Sequence, residues 1–416
     1  MLHSLSRHEI DSPYAWFRLA VSVVLSAIGG VGMWSVVVAL PAVQADFGAE
    51  RGAASLPFTL TMIGFGVGGV IMGKMADRRG IILPIMIGAG SLAAGYVLAS
   101  LSGGLGTFSA AYLLIGTFGT AATFVPLMAD ISFWFEKRRG IAVAVCACGN
   151  YLSGAVWPTL IEAAIRAHGW RTAHLAIGVF CLVIMPPLAM LLRSRPPVRA
   201  AGAPLPASSL RRVNLPPRVL QTLLSIAGLA CCVAMSMPQV HIVAYCGDLG
   251  YGAARGAQML SLMLSFGIVS RIASGFLADR FGGVATLLIG SFAQMTALSL
   301  YLTMDGLTSL YVISALFGLF QGGLVPSYAI IVRESFPAKE AGARVGVILM
   351  MTLLGMALGG WMSGVIFDFT GSYRAAFANG VAWNGLNFII AAFLLFRSSL
   401  TARRSATAPH AESAAE

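Results

Sequence analysis

The sequence predicts an all-α integral membrane protein with twelve transmembrane helices in two pseudo-symmetric six-helix halves. Three observations carry that prediction. Of 416 residues, 57% are hydrophobic and only 10% are charged, whereas a soluble domain carries about 25% charged residues. So few charges cannot solvate a surface in water, but in a bilayer the outer surface must be apolar. The octapeptide Gly73-Lys74-Met75-Ala76-Asp77-Arg78-Arg79-Gly80 recurs 202 residues later as Gly275-Phe276-Leu277-Ala278-Asp279-Arg280-Phe281-Gly282, both reading G-x-x-A-D-R-x-G. Twelve apolar runs reach the length of about 20 residues that crosses the hydrocarbon.

The runs start near residues 17, 53, 81, 107, 140, 172, 219, 255, 284, 309, 342 and 374. The first extends to about Ala42. Ala42-Val43-Gln44-Ala45 resembles a cleavage site, but the run is too long for a signal peptide and is read as a retained first helix. Span 2 ends on the first polar clip and span 8 on the second. Val125-Pro126, in span 4, recurs in span 10 as Val325-Pro326. Gly169-Trp170-Arg171-Thr172-Ala173, opening span 6, is echoed before span 12 by Gly371-Ser372-Tyr373-Arg374-Ala375-Ala376. Three echoes in near register mark a unit used twice. The halves are residues 1–193 and 219–397, with a linker at 194–218 and a tail at 398–416. Between Arg193 and Arg218 the chain holds six Pro, six Arg and no acidic residue, the composition of a flexible basic connection.

Charge fixes the expected orientation. With both termini inside, 21 of the 27 Lys and Arg fall on the inner face and 5, including Arg51, on the outer. That bias predicts cytoplasmic termini and linker, in the cell's plasma membrane. The net charge of +11 is thereby read as topology, with no nucleic-acid partner. No G-x-x-x-x-G-K-[ST] loop occurs, and Cys146-x-Cys148 and Cys231-Cys232 are not metal spacings. No cofactor or metal is expected, and the protein is read as a monomer in lipid. Glycine runs such as Gly64 to Gly69, Gly116-x-x-Gly119, Gly318-x-x-x-Gly322 and Gly355-x-x-x-Gly359 are read as close helix packing.

Arg271 is a single cation inside span 8, eight residues before Asp279. At 1.5 Å per residue it lies about 12 Å from the clip, near the middle of a core about 30 Å thick. A charge there needs a cavity or a partner, and a guanidinium suits a carboxylate. Other candidates for a cavity are Trp34, Asn150, Tyr151, His241, Gln321, Tyr328 and Asn384. Each also has a plain structural reading. His241, after Pro238, is either a proton site or a buried neutral imidazole; the amides and hydroxyls are either ligands or helix-to-helix bonds; Trp34 is a cavity wall or an interface anchor. Asp130 and Glu136 at the end of span 4, and Arg333 and Glu334 at the end of span 10, either join a cytoplasmic charge network or are plain solvated helix ends.

Six spans, a basic linker, six more spans and the clip after spans 2 and 8 together resemble the major facilitator superfamily, along the whole chain. Phe133-Trp134-Phe135-Glu136-Lys137-Arg138-Arg139-Gly140, Gly169-Trp170-Arg171, Pro238-Gln239-Val240-His241 and Asp248-Leu249-Gly250 are similar to its monocarboxylate and oxalate/formate porter branch. The resemblance implies that the clip residues Gly73, Asp77, Arg78, Gly80, Gly275, Asp279, Arg280 and Gly282 latch the halves at the cytoplasmic side. Asp77 would then face Ala341 and Gly342, and Asp279 would face Arg139 and Gly140. It also implies that Arg271 contacts substrate. The chain departs from the branch at Gly267, where proton-coupled members carry an acid, and in lacking lysines in spans 1 and 11. The expected function is secondary transport of a small organic anion, a monocarboxylate, by alternating access, with protons as a candidate coupling ion. A drug or cation exporter of the same fold is the alternative, and a transport-dead sensor a distant one. No nucleophile–base pair or metal cluster supports an enzyme.

Overall fold

The computed structural model describes residues 10–194, 213 and 215–407. Of the predicted linker only residues 194, 213 and 215–218 are described, and of the predicted tail residues 398–407. Five helical stretches build the first half: α1 Pro13–Phe47, α2 Arg51–Arg79, α3 Ile82–Ser100, α4 Leu105–Trp134, and a 52-residue stretch Arg139–Met190. That last stretch, about 78 Å at 1.5 Å per residue, is more than twice the hydrocarbon thickness. Gly169, at φ 78 and ψ 160, breaks it into α5 and α6. The second half holds α7 Pro217–Asp248, α8 Ala253–Phe281, α9 Gly283–Thr303, α10 Leu307–Ser335, α11 Ala338–Thr370 and α12 Tyr373–Thr407. Twelve membrane-length helices therefore stand among the described residues, as the apolar runs predict.

The duplication extends to backbone detail. Of the seven glycines with positive φ among the described residues, six form three pairs at the sequence offset of 202: Gly48 with Gly250, Gly80 with Gly282, and Gly169 with Gly371. Gly80 (φ 81, ψ 172) and Gly282 (φ 84, ψ 165) end α2 and α8, each N–H bonding the carbonyl four residues back. A side chain would be strained in that conformation, so the last glycine of each clip is a backbone requirement. Helix packing repeats as well. A Cβ on Gly116 of α4 would strike the backbone of Thr61 in α2, and one on Gly318 of α10 would strike Met263 in α8, again one offset apart. Both halves also interrupt the same helix: α4 carries a π-helical turn over Ile115–Thr120 and α10 breaks at Gly322 and Gly323, each just ahead of its Val-Pro pair.

α3, α6, α9 and α12 present exposed Leu98, Val183, Phe292 and Ile389, the apolar exterior that lipid demands. The halves meet through α2 against α11 and α5 against α8. A Cβ on Gly66 would touch Met350, one on Gly154 would strike Leu264, and one on Gly364 would press on the backbone of Arg51 and Gly52. These contacts lie at mid-depth and toward the face opposite the clips. At the clip face Gly73 nears only Val125 of its own half, and Cβ atoms on Gly140, Gly275, Gly342 and Gly346 would meet nothing within 4 Å. The halves are closed at one face and parted at the other.

Candidate functional site

Where the halves part, they enclose a cavity of about 300 Å³. Its walls come from α1, α2, α4 and α5 and from their repeat partners α7, α8, α10 and α11. Arg271 lies on that wall, partly accessible. Its Nη1 donates to the Ala147 carbonyl of α5 at 3.1 Å, and its Nε approaches the Gly322 carbonyl at 3.5 Å. The guanidinium lies over the Tyr151 ring, 4.6 Å from the centroid. The cation of the second half thus hooks onto the first. No carboxylate pairs with it and no acidic residue lines the cavity, among the described residues. Stacking and two carbonyls offset part of the cost of a charge at this depth, while Nη2 keeps N–H groups for an incoming acceptor.

Gly267, one turn before Arg271, has a steric reason to be glycine. A Cβ there would collide with the Tyr151 ring. The place where an acid would stand beside Arg271 is filled by an aromatic face from the other half. Asn150 and Trp34 also line the cavity. Gln239 lines it too and donates from Nε2 to Gln321 Oε1 at 2.8 Å, so Gln321 stands behind the wall rather than on it.

His241, Tyr328 and Asn384 are not on the cavity wall. Tyr328 donates to Asn387 Oδ1 at 2.8 Å, and Asn384 donates to the Ser291 carbonyl at 2.7 Å. Both join α9, α10 and α12 inside the second half, the structural alternative for polar groups in membrane helices. His241 belongs to the closed face. Its Nε2 lies 2.8 Å from the Gly360 carbonyl and so carries the hydrogen; its Nδ1 then accepts from the Tyr373 hydroxyl at 3.0 Å. That hydroxyl accepts from Arg51 Nη1 at 2.7 Å. Arg51 of the first half also forks onto Asp248 through two 3.1 Å bonds. Asp368 of α11 accepts from the amides of Arg51 and Gly52 at 2.8 and 2.7 Å, capping the first turn of α2 from across the interface.

A family model for the Major Facilitator Superfamily matches residues 22–309 and 275–415. The chain belongs to the major facilitator superfamily. Monocarboxylate transporter 13 of Bos taurus is 28% identical over 332 residues, covering 78% of this chain and 75% of its own. The uncharacterised MFS-type transporter YcxA of Bacillus subtilis (strain 168) is 25% identical over 355 residues, 83% of this chain and 86% of its own. A bacterial homologue of the human lysosomal transporter Spinster, solved inward-facing and unoccupied, superposes with a TM-score of 0.70 at 14% identity, over 94% of this chain and 98% of that one. The Escherichia coli fucose:proton symporter FucP gives 0.63 at 13% identity, over 91% and 99%. The protein is a multi-pass membrane transporter, not an enzyme.

In this state no bond among the described residues joins the clips to the opposite half. Asp77, Arg78, Arg79, Asp279 and Arg280 are exposed. Asp77 and Arg78 line a depression built wholly from the first half, together with Arg18 and Asp130; Asp77 does not reach Ala341 or Gly342, because the halves are apart there. A carboxylate does cap a helix start beside the second clip, but it is Glu334, 3.3 Å from the Gly283 amide. Two arginines counted only toward the charge bias, Arg51 on the outer face and Arg18 on the inner, are buried partners. Arg18 is fully buried, bonded to both oxygens of Asp130 at 2.7 and 2.9 Å, donating to the Leu192 carbonyl at 2.9 Å and stacked on Trp134. Asp130 is therefore a buried ion-pair partner at the clip face and not a solvated helix end. It ties α1 to α4 within one half.

Proposed function

We propose that this transporter carries an organic monoanion, a monocarboxylate, by alternating access, with Arg271 as the contact for the carboxylate. One observation carries the reading: a guanidinium in the inter-half cavity has free N–H groups and no acidic partner among the described residues. A cation exporter needs the reverse, an acid facing the cavity, and none lines it. Relatives named monocarboxylate transporters support the same choice. The positive-inside bias makes the clip face cytoplasmic, which makes this state inward-open. Arg271 reaches across the interface to Ala147; an anion that draws the guanidinium toward itself loosens that bond and couples occupancy to the change of state. Tyr151 fills the space an acidic partner would take, so proton coupling does not run through a neighbour of Arg271.

Counterflow of monocarboxylates in proteoliposomes tests this. Arg271→Ala is expected to lose about 1.5–3 kcal/mol of binding, roughly ten- to a hundredfold in half-saturation. Arg271→Lys keeps the charge but loses the stack on Tyr151 and recovers only part of the loss. Unchanged uptake in Arg271→Ala, or transport of organic cations in place of carboxylates, overturns the proposal.

A further inference from the structure

The cavity wall has an unusual composition. Six of its 24 residues are Met, in a chain with 19 Met among 416 residues. They are Met33, Met62, Met128, Met235, Met350 and Met356, contributed by α1, α2, α4, α7 and α11. Five helices that share little else converge on one side-chain type, so no single packing stripe explains it. Trp34, Phe65 and Phe124 stand among them. A thioether is polarizable, turns about three bonds and makes favourable contacts with aromatic rings, which suits it to irregular apolar guests. Against this wall the polar groups are few: Arg271, Asn150, Tyr151, Gln239, Thr352, the Cys232 thiol and the Trp34 indole N–H, which is buried and has no partner.

The charge count narrows the guest further. Arg271 is the only Lys, Arg or His on the wall among the described residues. A dicarboxylate would press its second charge against methionine, a costly burial. A two- or three-carbon acid would satisfy Arg271 but leave most of the apolar wall against water.

We infer that the substrate is a monocarboxylate with a bulky apolar body, an aromatic ring on a short chain, whose carboxylate meets Arg271 while the ring packs among the methionines. The inference rests on the anion reading above and adds the body to the head group.

The test uses the full chain in proteoliposomes at neutral pH, with three probes: phenylpyruvate, pyruvate and oxalate. The first two share a 2-oxo acid head group and differ by the ring. Phenylpyruvate is expected to half-saturate counterflow at a concentration about tenfold lower than pyruvate, and oxalate to be inert. Met128→Gln and Met235→Gln, which keep length but add polarity, are expected to weaken phenylpyruvate several-fold and pyruvate by clearly less. Binding read by Trp34 fluorescence, lost in Trp34→Phe, gives the same ranking without turnover. Pyruvate or oxalate matching phenylpyruvate, or methionine variants that weaken both 2-oxo acids equally, overturns the inference while the anion reading stands. If no carboxylate exchanges or binds, both fall together.

Discussion

Two corners of this transporter occupy equivalent places in the repeat and are bonded differently. In the first half Asp46 and Arg171 pair with each other at 2.7 Å, both substantially exposed. Their counterparts 202 residues on are Asp248 and Tyr373. These do not pair. Both turn to Arg51 of the other half, which is buried against Phe367 and Tyr373. Where the first half closes its corner internally, the second has a tyrosine in place of the arginine, and its aspartate is left to accept a cation across the interface. A duplicated fold need not have duplicated locks: one substitution converts an internal pair into a bond between halves. The clip face makes the complementary point. Its two octapeptides share five of eight residues, and among the described residues neither bonds across in this state.

The comparison breaks most sharply at Tyr373. Tyr373→Arg would give the second half the pair that the first half has, and would place a second guanidinium beside Arg51. Asp248 could then close internally, and two like charges would face each other across the seam. Spin labels at Glu50 and Thr370, exposed on either side of that face, are expected to move apart, while labels at Arg79 and Arg280 on the clip face move together. Distances unchanged at both faces would show that Arg51 does not hold the halves. Arg51→Ala should act in the same direction and less strongly. Truncating one member of a buried charge pair costs about 2–5 kcal/mol, and the lower end applies because Asp248 keeps access to water.

This lock was not legible in the sequence, and the reason is physical. Arg51 and Arg18 sit at the ends of apolar runs, where arginine ordinarily marks a solvated loop, and their partners lie 197 and 112 residues away. Hydropathy reports how deep a residue is, not which neighbour it meets. The twelve helices, the two halves and the pairing of their breaks could be read because they depend on run length and on repetition. Arg271 could be read because it is one charge in an otherwise unbroken apolar run. His241 turns out to lie at the closed face, and Tyr328 and Asn384 point into the second half; hydropathy cannot separate a wall from a joint. The methionine wall was hidden for the converse reason: in sequence, a cavity-facing Met looks like a lipid-facing or core one.

A smaller effect is expected at the open face. Asp77 is exposed and bonds nothing across the interface here, so Asp77→Ala should leave this conformer and membrane insertion intact. If Asp77 caps α11 when that face closes, the variant loses about 1 kcal/mol from the closed state only. Uptake should then fall while the Arg79–Arg280 label distance stays at its open value. Normal uptake would remove the latch role that the family resemblance implies.

The smallest effect sharpens the comparison by its silence. Glu334 caps the Gly283 amide at 3.3 Å, but both belong to the second half, so the bond is carried intact through any rocking of one half against the other. Glu334→Gln keeps an acceptor oxygen and loses charge at a helix start, worth about 0.3–1 kcal/mol of stability. A cost borne equally by both states cannot shift their ratio. The melting temperature should therefore drop slightly while both label distances stay put. A change in those distances would mean that the second half does not move as one body, and that bonds within a half also set which face is open.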